Sequence, residues 1–205
     1  MTPNMITMAG VAVTFGAAGL IAFGHLRWAA IVLAFAGTFD ILDGALARAT
    51  NRSYPYGAFL DSTTDRYAEG AIYVGIATYL LFQHPVSGLW MQVGVLACFV
   101  ALAGSYLVSY VRARAQSLGY RCDSGLFARP ERVVVTVVGL IIGRPEPLIV
   151  VVAVLAVVTN FTALQRIFEV YGQARAERRA LKKAGAPAPA PTGTRAGRPG
   201  GEGTA

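Results

Sequence analysis

Long apolar runs separated by short polar breaks dominate the chain from its first residues to about residue 171. A helix needs about 20 mostly apolar residues to cross the hydrocarbon layer of a bilayer. Six stretches meet or approach that length: residues 3–23, 28–48, 56–82, 89–114, 132–142 with a backward extension over 126–131, and 147–171 with a charged continuation to 183. The fifth has the shortest purely apolar part. Pro130 suits its first turn, where a missing N–H has no intrahelical partner to lose. The pattern predicts an all-α, polytopic membrane protein with six transmembrane helices, carried by residues 1–183. Residues 184–205, rich in Ala, Pro, Gly and Thr, cannot bury a core and are expected to form a disordered cytoplasmic tail.

Composition supports the membrane class. Hydrophobic residues make up 55% and charged residues 14% of the chain, against about a quarter charged in soluble domains. The formal net charge of +7 does not point to nucleic acid, because much of it flanks apolar runs. One set of connections holds Arg48 and Arg52, then Arg112, Arg114, Arg121 and Arg129, then Arg175, Arg178, Arg179, Lys182 and Lys183; the opposite set offers only Arg27 and Arg144. The positive-inside rule places the first set, and with six spans both termini, in the cytoplasm. Residues 1–4 carry no basic residue, so no cleavable signal peptide is expected, and an amphipathic segment ahead of Met1 is left open. Two cysteines, Cys98 and Cys122, imply no disulfide framework. His25 and His84 fall on the outer side, far from the acids discussed next.

The chain has five aspartates, and four of them lie within 26 residues, at the ends of the second and third apolar helices. Asp40 and Asp43 are spaced i, i+3, and Asp61 and Asp65 i, i+4, so each pair shares a helix face. Asn51, Arg52, Ser53 and Pro55 between them read as a turn, so the two helices are expected to pack antiparallel with the acid pairs facing each other. Solvation at a helix boundary, or pairing with Arg48, Arg52 and Arg66, accounts for one such carboxylate and poorly for four. Hard divalent cations relieve the repulsion, and oxygen donors suit Mg²⁺ or Mn²⁺. Gly44 and Gly57 beside the acids allow close approach of backbone or ligand.

These residues spell Asp40-x2-Asp43-Gly44-x2-Ala47-Arg48-x8-Gly57-x3-Asp61-x3-Asp65, which resembles the signature of the CDP-alcohol phosphatidyltransferases at all eight fixed positions. The resemblance covers roughly residues 1–171. It implies transfer of a phosphatidyl group from a CDP-linked lipid to an alcohol, with CMP leaving. It further implies that Asp40, Asp43, Asp61 and Asp65 ligate Mg²⁺ (or Mn²⁺), that Asp65 is the general base, and that Asp43, Gly44, Ala47, Arg48, Gly57 and Asp61 bind the CDP-lipid. A homodimer is common in the family, and Gly70, Gly75 and Ala77 permit close helix contact.

The acceptor has to be read from the second half of the chain. Arg166 follows Gln165 among otherwise apolar residues, a depth at which an arginine usually faces a cavity. With Arg112 and Arg132 it is a candidate to hold a phosphate, which guanidinium forks suit; topology-setting arginines or lipid-headgroup contacts account for Arg114, Arg121 and Arg175. Glu69, one turn beyond Asp65, is expected to be a buried polar group paired with a hydroxyl or an arginine. The stretches from Ser109 to Gly119 and from Gly125 to Arg132 resemble the phosphatidylinositol phosphate synthase branch of the family, departing from it at Arg112, where bacterial members carry lysine, and at Ala128. That resemblance implies CDP-diacylglycerol as donor, inositol 1-phosphate as acceptor and Ser109, Arg112, Arg132 and Arg166 as its phosphate site, in a multi-pass cell-membrane enzyme working at the cytoplasmic face. Glycerol 3-phosphate as acceptor, an archaeol-based donor, or a divalent-cation transporter are the alternatives.

Overall fold

The computed structural model describes residues 3–83, except 51–54, together with 86–122 and 129–183; for residues 3–4, 39–50, 55 and 129 only the backbone is described. The described residues form six helices: α1 Pro3–Ala22, α2 Leu26–Thr50, α3 Pro55–Phe82, α4 Leu89–Ser117, α5 Arg129–Ile142 and α6 Pro145–Lys183. The apolar runs and their breaks set these limits. α5 starts at Arg129, with Pro130 in its first turn, as expected; residues 126–128 of its predicted extension lie outside the described residues. Gly24 ends α1 at φ +82° and Gly119 follows α4 at φ +86°. At both ends the amide after the glycine reaches back to close the helix, His25 to Leu20 O at 2.8 Å and Tyr120 to Ala115 O at 3.0 Å. That left-handed geometry favours a residue without a Cβ.

Each helix packs principally on two others. α1 lies on α2 and α3, α2 also on α5, α5 on α6, α6 on α4, and α4 on α3. The six therefore close into a ring in the order α1, α2, α5, α6, α4, α3, which places α3 and α5 on opposite sides. Direct packing of α2 on α3, expected from the short turn between them, is not among these principal contacts of the described residues; α1 packs on both instead. Small residues explain the arrangement: a Cβ added to Gly75 of α3 would lie 2.6 Å from the carbonyl oxygen of Ala18 in α1, so the two backbones are nearly in contact.

The apolar core occupies the end of the ring away from the acids. It joins Ile21, Leu33, Ile76, Leu80, Leu140, Leu148, Val152 and Leu155, with alanines at the closest approaches. Large apolar side chains also cover the outside, among them Phe35, Phe99, Val157 and Phe168. A soluble protein rarely shows so extensive an apolar surface. Among the described residues, α1 from Met5, α4 and α6 are long and apolar enough to cross a membrane. α2 offers a shorter apolar stretch, Leu26–Thr38, before its acids, α3 carries Asp61, Asp65, Arg66 and Glu69 up to its midpoint, and α5 has 14 residues. The polar residues that shorten those apolar stretches on α3 and α5 are the ones that build the site.

Candidate active site

Asp61 and Asp65 stand one turn apart on α3 and are half-buried. The run between them, Ser62, Thr63 and Thr64, turns its hydroxyls back on the helix: Ser62 and Thr63 donate to Phe59 O at 2.9 and 2.8 Å, and Thr64 donates to Leu60 O at 2.8 Å. Back-bonding of this kind satisfies hydroxyls without using ligand space. The carboxylates are thus the chemically distinctive groups on that stretch. They are hard oxygen donors of the kind that Mg²⁺ and Mn²⁺ take, and their chemistry fits such an ion. The other two expected donors, Asp40 and Asp43, lie outside the described side chains, as do Gly44, Ala47 and Arg48. No group of three or more acidic, His or Cys side chains forms among the described residues.

Asp65 also lines a cavity of about 180 Å³ bounded by Arg66, Glu69, Val108, Ser109, Arg112, Arg132 and Arg166. Four helices meet there: α3, α4, α5 and α6. All four residues expected to hold an acceptor phosphate, Ser109, Arg112, Arg132 and Arg166, are therefore brought to one space beside Asp65. Arg112 is exposed and Ser109 half-buried at the α4 wall. Arg166 is buried, and its Nη1 donates to Val108 O at 2.8 Å, tying α6 to the α4 backbone. Arg132 is buried opposite Glu69. Its Nε donates to Glu69 Oε1 at 2.7 Å and its Nη2 to Oε2 at 3.2 Å, a forked pair. Glu69 thus has the arginine partner expected of it.

Arg66 was not anticipated in this cavity; its position next to Asp65 was the available signal. Its Nη1 donates to Ser62 O, and its own carbonyl accepts from Tyr106 Oη at 2.9 Å, so α4 fixes the backbone beside Asp65. At the mouth of the same end, the α4–α5 connection is held to α6. Gln173 uses both ends of its amide, accepting from Arg121 N at 3.1 Å and donating to Arg121 O at 2.6 Å. Tyr120 Oη donates to Glu177 Oε2 at 3.1 Å, a bond that pushes the Tyr120 phenol above its ordinary value. His25 sits in the α1–α2 turn at the opposite end, away from this chemistry. Both cysteines are buried and unpaired with each other.

The CDP-alcohol phosphatidyltransferase family model matches residues 1–162. The chain belongs to this family. It is thus a metal-dependent phosphatidyltransferase and an integral membrane protein, which removes the transporter alternative. Among relatives of this transferase, the phosphatidylinositol phosphate synthase of Corynebacterium glutamicum is 37% identical over 171 residues, 82% of this chain and 76% of the relative. The archaetidylinositol phosphate synthase of Methanothermobacter thermautotrophicus is 38% identical over 171 residues, 82% of each. The crystal structure of Mycobacterium tuberculosis phosphatidylinositol phosphate synthase with CDP-DAG bound matches at 32% identity and a TM-score of 0.76, covering 83% of this transferase and 87% of that chain. A second structure of that synthase, in complex with manganese and citrate, matches with the same TM-score and covers 83% of each chain.

Proposed function

We propose that this transferase moves the phosphatidyl group of CDP-diacylglycerol to inositol 1-phosphate, giving phosphatidylinositol phosphate and CMP. The observation that carries the reading is the cavity beside Asp65, where Arg66, Arg112, Arg132 and Arg166 face Asp65 and Glu69. Two positive charges in excess complement a phosphate dianion, and guanidinium groups match its oxygens. The carboxylates and Ser109 in the same space are acceptors for the hydroxyls of a polyol. The relatives whose names include an inositol phosphate product agree with this chemistry.

In this reading Asp40, Asp43, Asp61 and Asp65 hold Mg²⁺ or Mn²⁺, and Asp43, Gly44, Ala47, Arg48, Gly57 and Asp61 bind the CDP-lipid. A bound divalent ion supplies the positive charge that favours a diphosphate and a departing CMP. Arg112, Arg132 and Arg166, with Ser109, hold the acceptor's phosphate, so that one of its free hydroxyls points to Asp65. That hydroxyl oxygen bonds to the lipid-side phosphorus as the bond from that phosphorus to the CMP oxygen breaks, and Asp65 takes the hydroxyl proton. A carboxylate in such a place is a weak base, so holding both substrates in line supplies much of the rate.

The ring, with α2, α3 and α5 also spanning, sits in the cell membrane as six transmembrane helices. Residues 1–183 form the membrane domain, and the site opens at the cytoplasmic face where residues 184–205 begin. The shorter apolar stretches of α3 and α5 are compatible with crossing because Asp65, Glu69 and Arg132 turn to the ring's interior, where Glu69 and Arg132 pair. A homodimer remains part of the proposal, but Gly70 and Gly75 are taken up within one chain, against Tyr106 of α4 and Ala18 of α1, and a second copy would pack elsewhere.

The deciding test supplies purified transferase and Mg²⁺ with CDP-diacylglycerol and one acceptor at a time. CMP release is expected with inositol 1-phosphate and not with free inositol or glycerol 3-phosphate. Release with glycerol 3-phosphate alone overturns the acceptor. A parallel arm with a CDP-archaeol donor separates the two lipid skeletons.

A further inference from the structure

The ring of helices brings α3 and α5 opposite one another, and neither has the other among its principal packing partners in the described residues. They are nonetheless joined across the interior by the forked pair of Glu69 with Arg132. The relative exposures are 4% for the arginine and 13% for the glutamate. Both residues line the polar cavity of α3, α4, α5 and α6. Both also line a second, smaller cavity of about 50 Å³ on the other side, together with Thr14 of α1, Leu33 and Ala36 of α2, Ile72 of α3 and Val133 of α5. The ion pair is therefore a partition between two halves of the ring's interior. It does not fasten an already packed helix interface.

Its place along α3 matters equally. Glu69 follows Asp65 by one helical turn, so both side chains share one face. The backbone of Arg132 belongs to α5, where its carbonyl also accepts from Thr136 Oγ1 at 2.8 Å, so what orients its side chain is the pair with Glu69. A long, flexible guanidinium is thus held by a carboxylate whose position is set by the same helix that carries the candidate base. A fork of two hydrogen bonds fixes the plane of an arginine, which one bond does not. We propose that Glu69 is a positioning residue: it aims Arg132 into the acceptor cavity at a set distance from Asp65, and so places the acceptor's phosphate relative to the proton acceptor. This inference rests on the acceptor-pocket reading given above.

The test compares Glu69→Gln, Glu69→Asp and Arg132→Lys with the unaltered full-length protein, using whichever phosphorylated alcohol the unaltered protein accepts. Glu69→Gln keeps the volume and loses the charge; it is expected to raise the acceptor KM roughly ten- to a hundredfold, the range for losing hydrogen bonds to a charged group, with the CDP-diacylglycerol KM within about twofold. Glu69→Asp keeps the charge on a shorter arm and is expected to raise the acceptor KM by only about threefold to fivefold under the same comparison. A merely structural role would instead lower the melting temperature and affect both KM values together, or neither. An unchanged acceptor KM in Glu69→Gln, or an equal rise in both KM values, overturns the proposal. If Glu69→Gln does not fold, Glu69→Asp decides: a selective acceptor effect supports the proposal and none overturns it. Arg132→Lys separates the two levels. If it leaves the acceptor KM unchanged, the pocket reading has failed; if it raises that KM while the Glu69 variants do not, only the positioning role has failed.

Discussion

Asp61 and Asp65 are both half-buried on one face of α3, but only Asp65 borders the arginine-lined cavity. That difference divides their proposed work between donor and acceptor. Asp65→Asn keeps the shape and removes the basicity, so kcat is expected to fall by at least about a hundredfold, the lower end for losing a general base. Calorimetric binding of CDP-lipid should stay measurable in the same variant. Turnover near the unaltered rate would end the general-base role. The proposed metal role of the aspartates comes from the sequence, where four acids at helical spacings among apolar residues repel one another unless a shared cation holds them; of the four, the described side chains include only Asp61 and Asp65. The forked pair of Arg132 with Glu69 was legible only in outline. Each residue announces itself as a charge in an apolar setting, yet the partner lies 63 positions away, and only the closed ring brings α5 across from α3. Arg66 was overlooked because an arginine following an aspartate also reads as its neutralising neighbour.

The helices themselves follow the apolar pattern closely, since a backbone in lipid must satisfy its own hydrogen bonds and each apolar run has one economical way to do so. The glycine turns after α1 and α4 and the proline in the first turn of α5 mark limits that local chemistry dictates. What local pattern did not dictate is which helices touch. Only four residues separate α2 from α3 in the sequence, but packing is decided by where backbones can approach, and α1 approaches α3 at Gly75 against Ala18 O. Gly75→Val places carbon against a carbonyl that has no room to move. It is expected to destabilise the protein by about 1–3 kcal/mol, as overpacking does, seen as a lower melting temperature in detergent. Gly16, whose added Cβ would meet nothing within 4 Å, is the control: Gly16→Ala should leave that temperature unchanged or slightly raised. Equal effects at the two sites would mean that α1 does not ride on α3 in this way.

A ring whose apolar core lies at one end and whose polar cavity lies at the other has a direction, and a membrane makes that direction functional. Charge is distributed along the same axis. α6 has 39 residues, about 58 Å at 1.5 Å per residue, nearly twice the roughly 30 Å of hydrocarbon. Its surplus is the segment bearing Arg175, Arg178, Arg179, Lys182 and Lys183, at the same end as the cavity arginines. Applied to this asymmetry, the positive-inside rule predicts the proposed orientation, with the cavity facing the cytoplasm, where a soluble nucleotide product such as CMP would leave without crossing lipid. Cysteine labelling tests it. Ser87, exposed just before α4, and Ser117, exposed at the end of α4, sit at opposite ends of one helix, and both native cysteines are buried. In intact cells a membrane-impermeant maleimide is expected to label Ser87→Cys and to leave Ser117→Cys unlabelled until the membrane is permeabilised. The reverse pattern would place the cavity outside. Labelling of both in intact cells would mean that α4 does not cross the membrane, and with it the six-span arrangement would fall.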